Sequence, residues 1–224
     1  MSEAFQFFCD FDGTIAKRDM ITAIMREFAW ESSEPIITAI RSGNLSVKTG
    51  VEQLFALLPS ARLPEIQQFA QSSIVLREGF GAFCDRCKQE GWPLRVVSGG
   101  FDFFVETALA PYRDRLEIDC NRLDASGPYL RVIWTVPCDP YCQGGCGLCK
   151  PTVMRNAGKR GLQIVIGDGV TDQRAARQAD FTFARDQLLA VCQQQGWPHA
   201  AFDNFYDVID GIGVLLSDKG RDAT

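Results

Sequence analysis

The stretch of sequence that decides the fold is Phe5-Gln6-Phe7-Phe8-Cys9-Asp10-Phe11-Asp12-Gly13-Thr14. Its apolar first part predicts a buried β-strand, and the two aspartates follow where that strand ends. Side chains two residues apart in a strand point the same way, so both carboxylates can reach one ligand beyond the strand. Phosphoryl transfer uses such a pair, because one carboxylate attacks phosphorus while the other handles the proton of the leaving oxygen. A strand followed by an ordinary Asp-Gly turn is the competing interpretation.

Three later segments favour phosphoryl chemistry over an ordinary turn. An apolar strand ends in Ser98-Gly99-Gly100 and precedes a helix, whose start can bind a phosphate. A third strand ends in a glycine-rich loop that carries Asp168 and Asp172, and hard carboxylate oxygens of this kind suit Mg²⁺. Lys150 directly precedes a helix-compatible run, where its charge could neutralise a phosphate oxygen.

Taken in this order, the four motifs resemble those of the haloacid dehalogenase superfamily. The resemblance implies a Mg²⁺-dependent phosphomonoesterase that works through an aspartyl-phosphate intermediate. It also implies an α/β fold with a Rossmann-like three-layer core and a parallel sheet. The resemblance implies that Asp10 is the nucleophile and Asp12 the general acid and base. It implies phosphate binding by Ser98, Gly99 and Lys150. It implies metal binding by Asp10, Asp168 and the backbone carbonyl of Asp12, with Asp172 acting through the metal waters.

Composition and charge restrict the class of protein. The 224 residues are 46% hydrophobic and 23% charged, which allows a sizeable core in one α/β domain with a small insertion. The net charge of -5 and the lack of a long basic run argue against nucleic acid or an anionic membrane as partner. The predicted partner is a small phosphorylated metabolite. The oligomeric state stays open.

Two further features of the sequence bear on location and metal chemistry. No apolar run approaches the roughly 18 residues of a membrane helix, and the first strand starts too early to leave room for a signal peptide. We therefore expect a cytoplasmic protein. The single histidine, His199, follows Trp197-Pro198 in a predicted loop, which argues against a metal site built from several histidines.

The segment between Thr14 and Phe80 lacks the alternation of a strand and contains helix-like stretches. We predict a helical cap inserted after the first strand, with residues 1–14 and 80–224 as the catalytic core and residues 15–79 as the cap domain. The predicted cap helices are Met20–Trp30, Glu34–Arg41, Val47–Leu57 and Leu63–Ser72.

A cap in this position is typical of the phosphoserine-phosphatase-like branch of the superfamily. Within that branch, the chain resembles the phosphatases of methionine salvage over nearly its whole length. That resemblance implies removal of phosphate from a methylthiopentenyl enol phosphate to give the acireductone. The motifs that carry it are CDFDGTI at 9–15, GVEQLFALLPS at 50–60, REGF at 77–80, VSGGFDFFV at 97–105, the cysteine string at 138–151, GDGVTD at 167–172 and FARD at 183–186.

Two cap residues separate the possible substrates. Leu54 aligns with an arginine that pairs with the substrate carboxylate in phosphoserine phosphatases, and a leucine cannot do so. Leu54 could contact a methylthio group, or it could belong to the cap's own core. Asp19 could contact a substrate hydroxyl, or it could only cap the helix that starts at Met20. Phosphoserine phosphatase and a phosphotransferase acting on another small phosphate ester are the alternative functions, and an inactive binding protein is disfavoured by the intact motifs.

Four of the nine cysteines fall within twelve residues, at Cys138, Cys142, Cys146 and Cys149. Four thiolates at this spacing could bind a structural Zn²⁺ tetrahedrally. Disulfides and free thiols fit the spacing as well. Because Cys149 directly precedes Lys150, any cross-link here would also fix the predicted catalytic lysine.

Overall fold

The computed structural model describes residues 5–222. Seven strands form a single sheet: β1 (Phe5–Cys9), β2 (Leu94–Phe101), β3 (Glu117–Asp124), β4 (Arg131–Ile133), β5 (Leu162–Gly167), β6 (Phe181–Ala184) and β7 (His199–Ala201). Their order is β4-β3-β2-β1-β5-β6-β7. All neighbours run parallel except β3 and β4, which form an antiparallel pair at one edge.

Helices cover both faces of this sheet and also form a separate group after β1. The helices are α1 (Met20–Phe28), α2 (Trp30–Arg41), α3 (Val47–Phe55), α4 (Leu63–Ser73), α5 (Phe80–Glu90), α6 (Asp102–Leu109), α7 (Lys150–Ala157), α8 (Gln173–Ala176), α9 (Asp186–Gln195) and α10 (Phe205–Asp222). No helix within residues 5–222 combines the length and the hydropathy needed to cross a bilayer.

Successive side chains of a strand point to opposite faces of the sheet, and each face packs against its own layer of helices. In β1, the side chains of Phe5, Phe7 and Cys9 belong to a core shared with α5, α6 and α10, whereas Phe8 belongs to a second core shared with α7, α8 and α9. Each fully buried phenylalanine contributes roughly 1.5–3 kcal/mol through the apolar surface it removes from water. The predicted Rossmann-like three-layer α/β fold is confirmed.

The register of the central strands brings three loops to one edge of the sheet. Cys9 in β1 pairs with Val96 in β2 and with Ile166 in β5. Because parallel strands end at the same edge, the residues that follow Cys9 and Ile166 emerge side by side. Asp10 and the loop that starts at Gly167 therefore meet at the carboxyl end of the sheet.

Helices α1 to α4 occupy the segment predicted as the cap, and side-chain caps explain where two of them begin. The Asp19 carboxylate accepts from Thr22 N at 2.9 Å and starts α1, and the Ser46 hydroxyl accepts from Thr49 N at 3.1 Å and starts α3. The division into cap and core domains stays a prediction. His199 lies in β7 and not in a loop, because residues 199–201 pair with β6.

Candidate active site

Most of the predicted site residues line one cavity of about 350 Å³ at the carboxyl edge of the sheet, and Ser98 and Asp172 lie outside its lining. Asp10 and Asp12 reach it from the end of β1, Lys150 from the start of α7, and Asp168 from the loop after β5. The chain thus brings together groups up to 158 positions apart in the sequence, from 10 to 168. Gly99, from the end of β2, also lines the cavity.

Lys150 forms the electrostatic centre of this site. Its Nζ lies 2.6 Å from Asp10 Oδ1 and 2.6 Å from Asp172 Oδ1, and all three side chains are buried. Burial lowers the pKa of Lys150, but the charges of Asp10 and Asp172 outweigh burial and raise it. The lysine is therefore charged at neutral pH.

The carboxylates carry more negative charge than this lysine can balance. One oxygen from each of Asp10, Asp168 and Asp172 falls within 4.8 Å of the others. Three carboxylates against one ammonium leave an excess of two negative charges when all are ionised. Burial and the neighbouring Asp172 raise the pKa of Asp10 well above its ordinary value, and the same two causes raise the pKa of Asp168 to about 7. A divalent cation is the ligand that such a donor set fits.

Asp12 stands apart from that triad. Its Oδ1 accepts a hydrogen bond from Met20 N at 2.8 Å, which ties it to the start of α1. Burial raises the pKa of Asp12 to about 8, the charge of Asp19 adds to the effect, and the Met20 N–H opposes it. The carboxyl therefore keeps its proton near neutral pH.

Asp172 and Asp168 are held by hydrogen bonds that fix the loop after β5. The second oxygen of Asp172 accepts from Asp168 N at 3.2 Å and from Gly169 N at 3.1 Å. Thr14 donates its hydroxyl to Asp168 Oδ1 at 2.9 Å. With both oxygens of Asp172 engaged, Asp10 and Asp168 are the carboxylates better placed to contact a metal ion directly.

Gly13 allows this close approach. It has φ +78°, and a Cβ at this position would collide with the Asp168 carboxylate. The turn after β1 can thus bring Asp12 and the Asp168 loop together only with glycine between Asp12 and Thr14.

Ser98, unlike Gly99, does not line the cavity. Its hydroxyl is fully buried and accepts a hydrogen bond from Gly100 N at 2.9 Å. Gly99 is the residue of this part of β2 that lines the cavity. A direct contact of Ser98 with phosphate stays a prediction.

Helices α1, α2 and α3, in the segment predicted as the cap, supply another wall of the cavity, and this wall is mostly apolar. Leu54 is buried and lines this wall. Asp19 also lines it, and its carboxylate caps α1. Arg41 is the cation that the cap contributes to the lining. The apolar residues of the cap wall are Ile21, Ile37, Ile40, Val47, Val51 and Leu54.

The sequence profile of the haloacid dehalogenase-like hydrolases matches residues 7–177. This chain belongs to the haloacid dehalogenase-like hydrolase family. The match begins inside β1 and includes helices α1 to α4 and the Asp168 loop, and so it contains each charged group described above.

Relatives of this hydrolase are similar over nearly the full length. The 2-hydroxy-3-keto-5-methylthiopentenyl-1-phosphate phosphatase of Geobacillus thermodenitrificans (strain NG80-2) is 47% identical over 219 residues, which cover 96% of this chain and 98% of the relative. The enzyme of the same name from Geobacillus kaustophilus (strain HTA426) is 45% identical and covers 95% and 97%. The expected resemblance to this group is confirmed, and the protein is a phosphoric monoester hydrolase.

Solved structures with a similar fold include phosphoserine phosphatases. A substrate-bound phosphoserine phosphatase complex has a TM-score of 0.70 at 18% identity and covers 94% of this chain and 98% of that one. The phosphoserine phosphatase from T. onnurineus in complex with NDSB-201 has a TM-score of 0.71 at 13% identity and covers 94% of both. At these identities the likeness concerns the fold alone.

Two supporting residues of this hydrolase were not predicted. Buried Arg77 donates to the carbonyls of Thr14 at 2.7 Å and Gly13 at 2.6 Å, and so holds the turn that follows Asp12. Asn121 donates to Gly99 O at 3.0 Å from β3. Arg77 lies in the motif REGF, which contributed to the resemblance, but nothing in the sequence around it indicates that it supports this turn.

Proposed function

We propose that this protein is a Mg²⁺-dependent phosphatase that converts 2-hydroxy-3-keto-5-methylthiopentenyl-1-phosphate to the acireductone of methionine salvage. The observation that carries the proposal is one cavity that joins the Asp10–Lys150 pair to an apolar wall from the cap. The names of the relatives at 47% and 45% identity support the substrate.

In the proposed reaction, a carboxylate oxygen of Asp10 attacks phosphorus and forms an aspartyl phosphate. Asp12 donates its proton to the leaving oxygen, and its pKa of about 8 supplies that proton at neutral pH. The resulting Asp12 carboxylate then takes a proton from the water that hydrolyses the aspartyl phosphate. Lys150 and the backbone N–H groups of the surrounding loops stabilise the phosphoryl oxygens.

The residues that would hold Mg²⁺ are Asp10, Asp168 and the backbone carbonyl of Asp12, with Asp172 positioning Lys150 and the metal-bound waters. When bound, the ion offsets the repulsion between the anionic nucleophile and the anionic phosphate. The excess of two negative charges among these three carboxylates supports this assignment.

The cap wall supports an apolar substrate tail. Leu54 and its aliphatic neighbours offer the surface that a methylthio group would remove from water. Asp19 stays a prediction as a substrate contact, since its two oxygens already accept from Thr22 N at 2.9 Å and Thr22 Oγ1 at 2.6 Å.

Arg41 supports one alternative substrate. It lines the same cavity and could pair with the carboxylate of phosphoserine, the role for which Leu54 is unsuited. Under that alternative, Arg41→Met should lower kcat/KM for phosphoserine and leave the enol phosphate unaffected.

Specificity constants test the proposal. We expect wild-type kcat/KM to be higher for the methylthiopentenyl enol phosphate than for phosphoserine. Leu54→Arg should lower kcat/KM for the enol phosphate by about 10–200-fold, because a buried unpaired charge replaces an apolar contact. Leu54→Met, which keeps an apolar side chain of similar volume, is the matched control and should stay near wild type. Equal or higher wild-type kcat/KM for phosphoserine would refute the substrate assignment.

The phosphotransferase alternative is tested by the product. We expect inorganic phosphate in an amount equal to the substrate consumed, with or without added alcohols. Transfer of most phosphoryl groups to an acceptor hydroxyl would identify a phosphotransferase instead.

A further inference from the structure

The four cysteines of the loop before α7 converge in space. The Sγ atoms of Cys138, Cys142, Cys146 and Cys149 all lie within 4.8 Å of one another. Four sulfurs bound to Zn²⁺ at about 2.3 Å form a tetrahedron with edges of about 3.8 Å. Cys142 Sγ and Cys146 Sγ are 3.5 Å apart and no separation exceeds 4.8 Å, so each pair lies within about 1 Å of that edge length.

Disulfides do not account for this arrangement. Cys142 Sγ and Cys146 Sγ are 3.5 Å apart, compared with about 2.05 Å in a disulfide. Two separate disulfides would also give no reason for all four sulfurs to meet at one point. Ordinary packing does not account for it either, because Cys138, Cys142 and Cys146 are partly exposed in a loop, whereas the other free thiols of the described chain outside this loop are buried.

A cation lies beside the sulfurs on the outside of the cluster. Arg174 Nη1 lies 3.1 Å from Cys146 Sγ and 3.5 Å from Cys142 Sγ, and it donates to Gly144 O at 2.8 Å. Four thiolates around one Zn²⁺ carry two net negative charges, which a guanidinium at this position would partly offset. A cluster of neutral thiols would give the guanidinium no such charge to balance.

The loop is also tied to the cap and to the active site. Gly145 O accepts from Lys48 N, in the first turn of α3, at 3.1 Å. Cys146 lines the cavity, and Cys149 is the residue immediately before Lys150. Gly147, at φ +74°, packs so closely on Trp134 that a Cβ would lie 2.8 Å from its ring. A single cross-link within this loop would therefore hold both Lys150 and the start of α3 in place.

We propose that Cys138, Cys142, Cys146 and Cys149 bind one Zn²⁺ as thiolates in a closed structural site, distinct from the Mg²⁺ site. Binding replaces the thiol protons, which leave to solvent as the four Zn–S bonds form. The site holds the loop so that α7 starts with Lys150 facing Asp10. It has no open coordination position and takes no part in the chemistry.

Zinc content is the first test. Protein purified under reducing conditions without chelators should contain about one zinc per chain by elemental analysis. Cys138→Ala and Cys142→Ala should each lower this content strongly. Cys192→Ala, which removes a buried thiol from α9, is the matched control and should keep it. Absence of zinc in wild type, or equal zinc in all four proteins, would overturn the proposal.

Cobalt gives a test that does not depend on activity or on the folding of the variants. Wild-type protein reconstituted with Co²⁺ should show thiolate-to-cobalt charge-transfer bands and the intense visible bands of tetrahedral cobalt, at one Co²⁺ per chain. These bands should persist when excess Mg²⁺ is added. Octahedral spectra without thiolate bands, together with rapid alkylation of all four loop thiols in zinc-treated protein, would leave free thiols as the correct description.

The consequence for Lys150 is tested separately. A displacement of the lysine by about 1 Å should lower kcat on the order of a hundredfold. We expect this loss in Cys138→Ala, which does not line the cavity, and not in Cys192→Ala. Because zinc content is measured without substrate, failure of the proposed phosphatase activity and failure of the zinc site are distinguishable.

Discussion

At the scale of single residues, the site depends on buried charges that do not balance. Asp10 and Asp172 share Lys150, and Asp168 adds a third carboxylate nearby. Asp12 is separate from this group and keeps its proton near neutral pH, whereas an oxygen of Asp10 lies 2.6 Å from the Lys150 ammonium. Different surroundings thus give one residue type two roles.

Asp172→Asn tests the positioning of Lys150. The substitution removes a charge from a buried ion pair, and Lys150 would then pair with Asp10 alone and reduce the reactivity of that nucleophile. We expect kcat/KM to fall on the order of a hundredfold. We also expect the free energy of unfolding to fall by about 1.5–3 kcal/mol, the usual contribution of a hydrogen bond to a charged group. Steady-state kinetics and urea unfolding measure the two effects.

Asp207→Asn is the matched control for that variant. Asp207 also accepts from two backbone N–H groups, at 2.8 Å and 3.0 Å, but lies in α10 away from the cavity. Its kcat/KM should stay near wild type. Equal activity of Asp172→Asn and wild type would show that Asp172 does not position Lys150.

At the scale of elements, local signals predicted the beginnings of helices better than the breaks between them. Asp19 and Ser46 carry side-chain caps, and α1 and α3 begin at the predicted residues, Met20 and Val47. The break between α1 and α2 lies at Ala29, with φ -156°, and the chain has no glycine or proline there to mark it. α2 therefore starts at Trp30, four residues before the predicted start.

Features that depend on partners far away along the chain could not be predicted from the sequence. The three residues of β7 are a strand only because they pair with β6. Arg77 is identified as a support of the Gly13 turn only once the fold brings the two together, 64 residues apart. In contrast, Asp10, Lys150 and Asp168 were predictable from local signals. Asp10 and Asp168 follow strong strand signals, which place them at the carboxyl edge of the sheet, and Lys150 directly precedes a helix signal.

At the scale of the whole molecule, two partly buried carboxylates of the site link stability to pH and metal. Asp12 and Asp168 have pKa values of about 8 and about 7, against an ordinary value of 3.8. The folded state binds these protons more tightly than the unfolded state, so protonation of the two carboxylates stabilises the fold. This contribution to stability is complete below about pH 4 and is lost as the pH rises through 7 and 8. A divalent cation should replace the protons at high pH.

The melting temperature of metal-free protein should therefore fall between pH 5 and pH 8.5. The increase on adding Mg²⁺ should be larger at pH 8.5 than at pH 5, because the carboxylates are then ionised. Asp12→Asn should weaken the fall of melting temperature with pH, since it removes the group with the higher of the two pKa values. Calorimetry in EDTA and in Mg²⁺ measures both effects, and a melting temperature that rises with pH in EDTA would contradict the account.

The central claim is that Asp10 attacks phosphorus. The most direct measurement is mass spectrometry of protein quenched in acid within milliseconds of mixing with the enol phosphate and Mg²⁺. We predict one phosphoryl group on the peptide that contains Asp10, lost on treatment with hydroxylamine, and neither phosphoryl group nor turnover in Asp10→Asn. A phosphoryl group on any other residue, or turnover by Asp10→Asn near the wild-type rate, would contradict the mechanism.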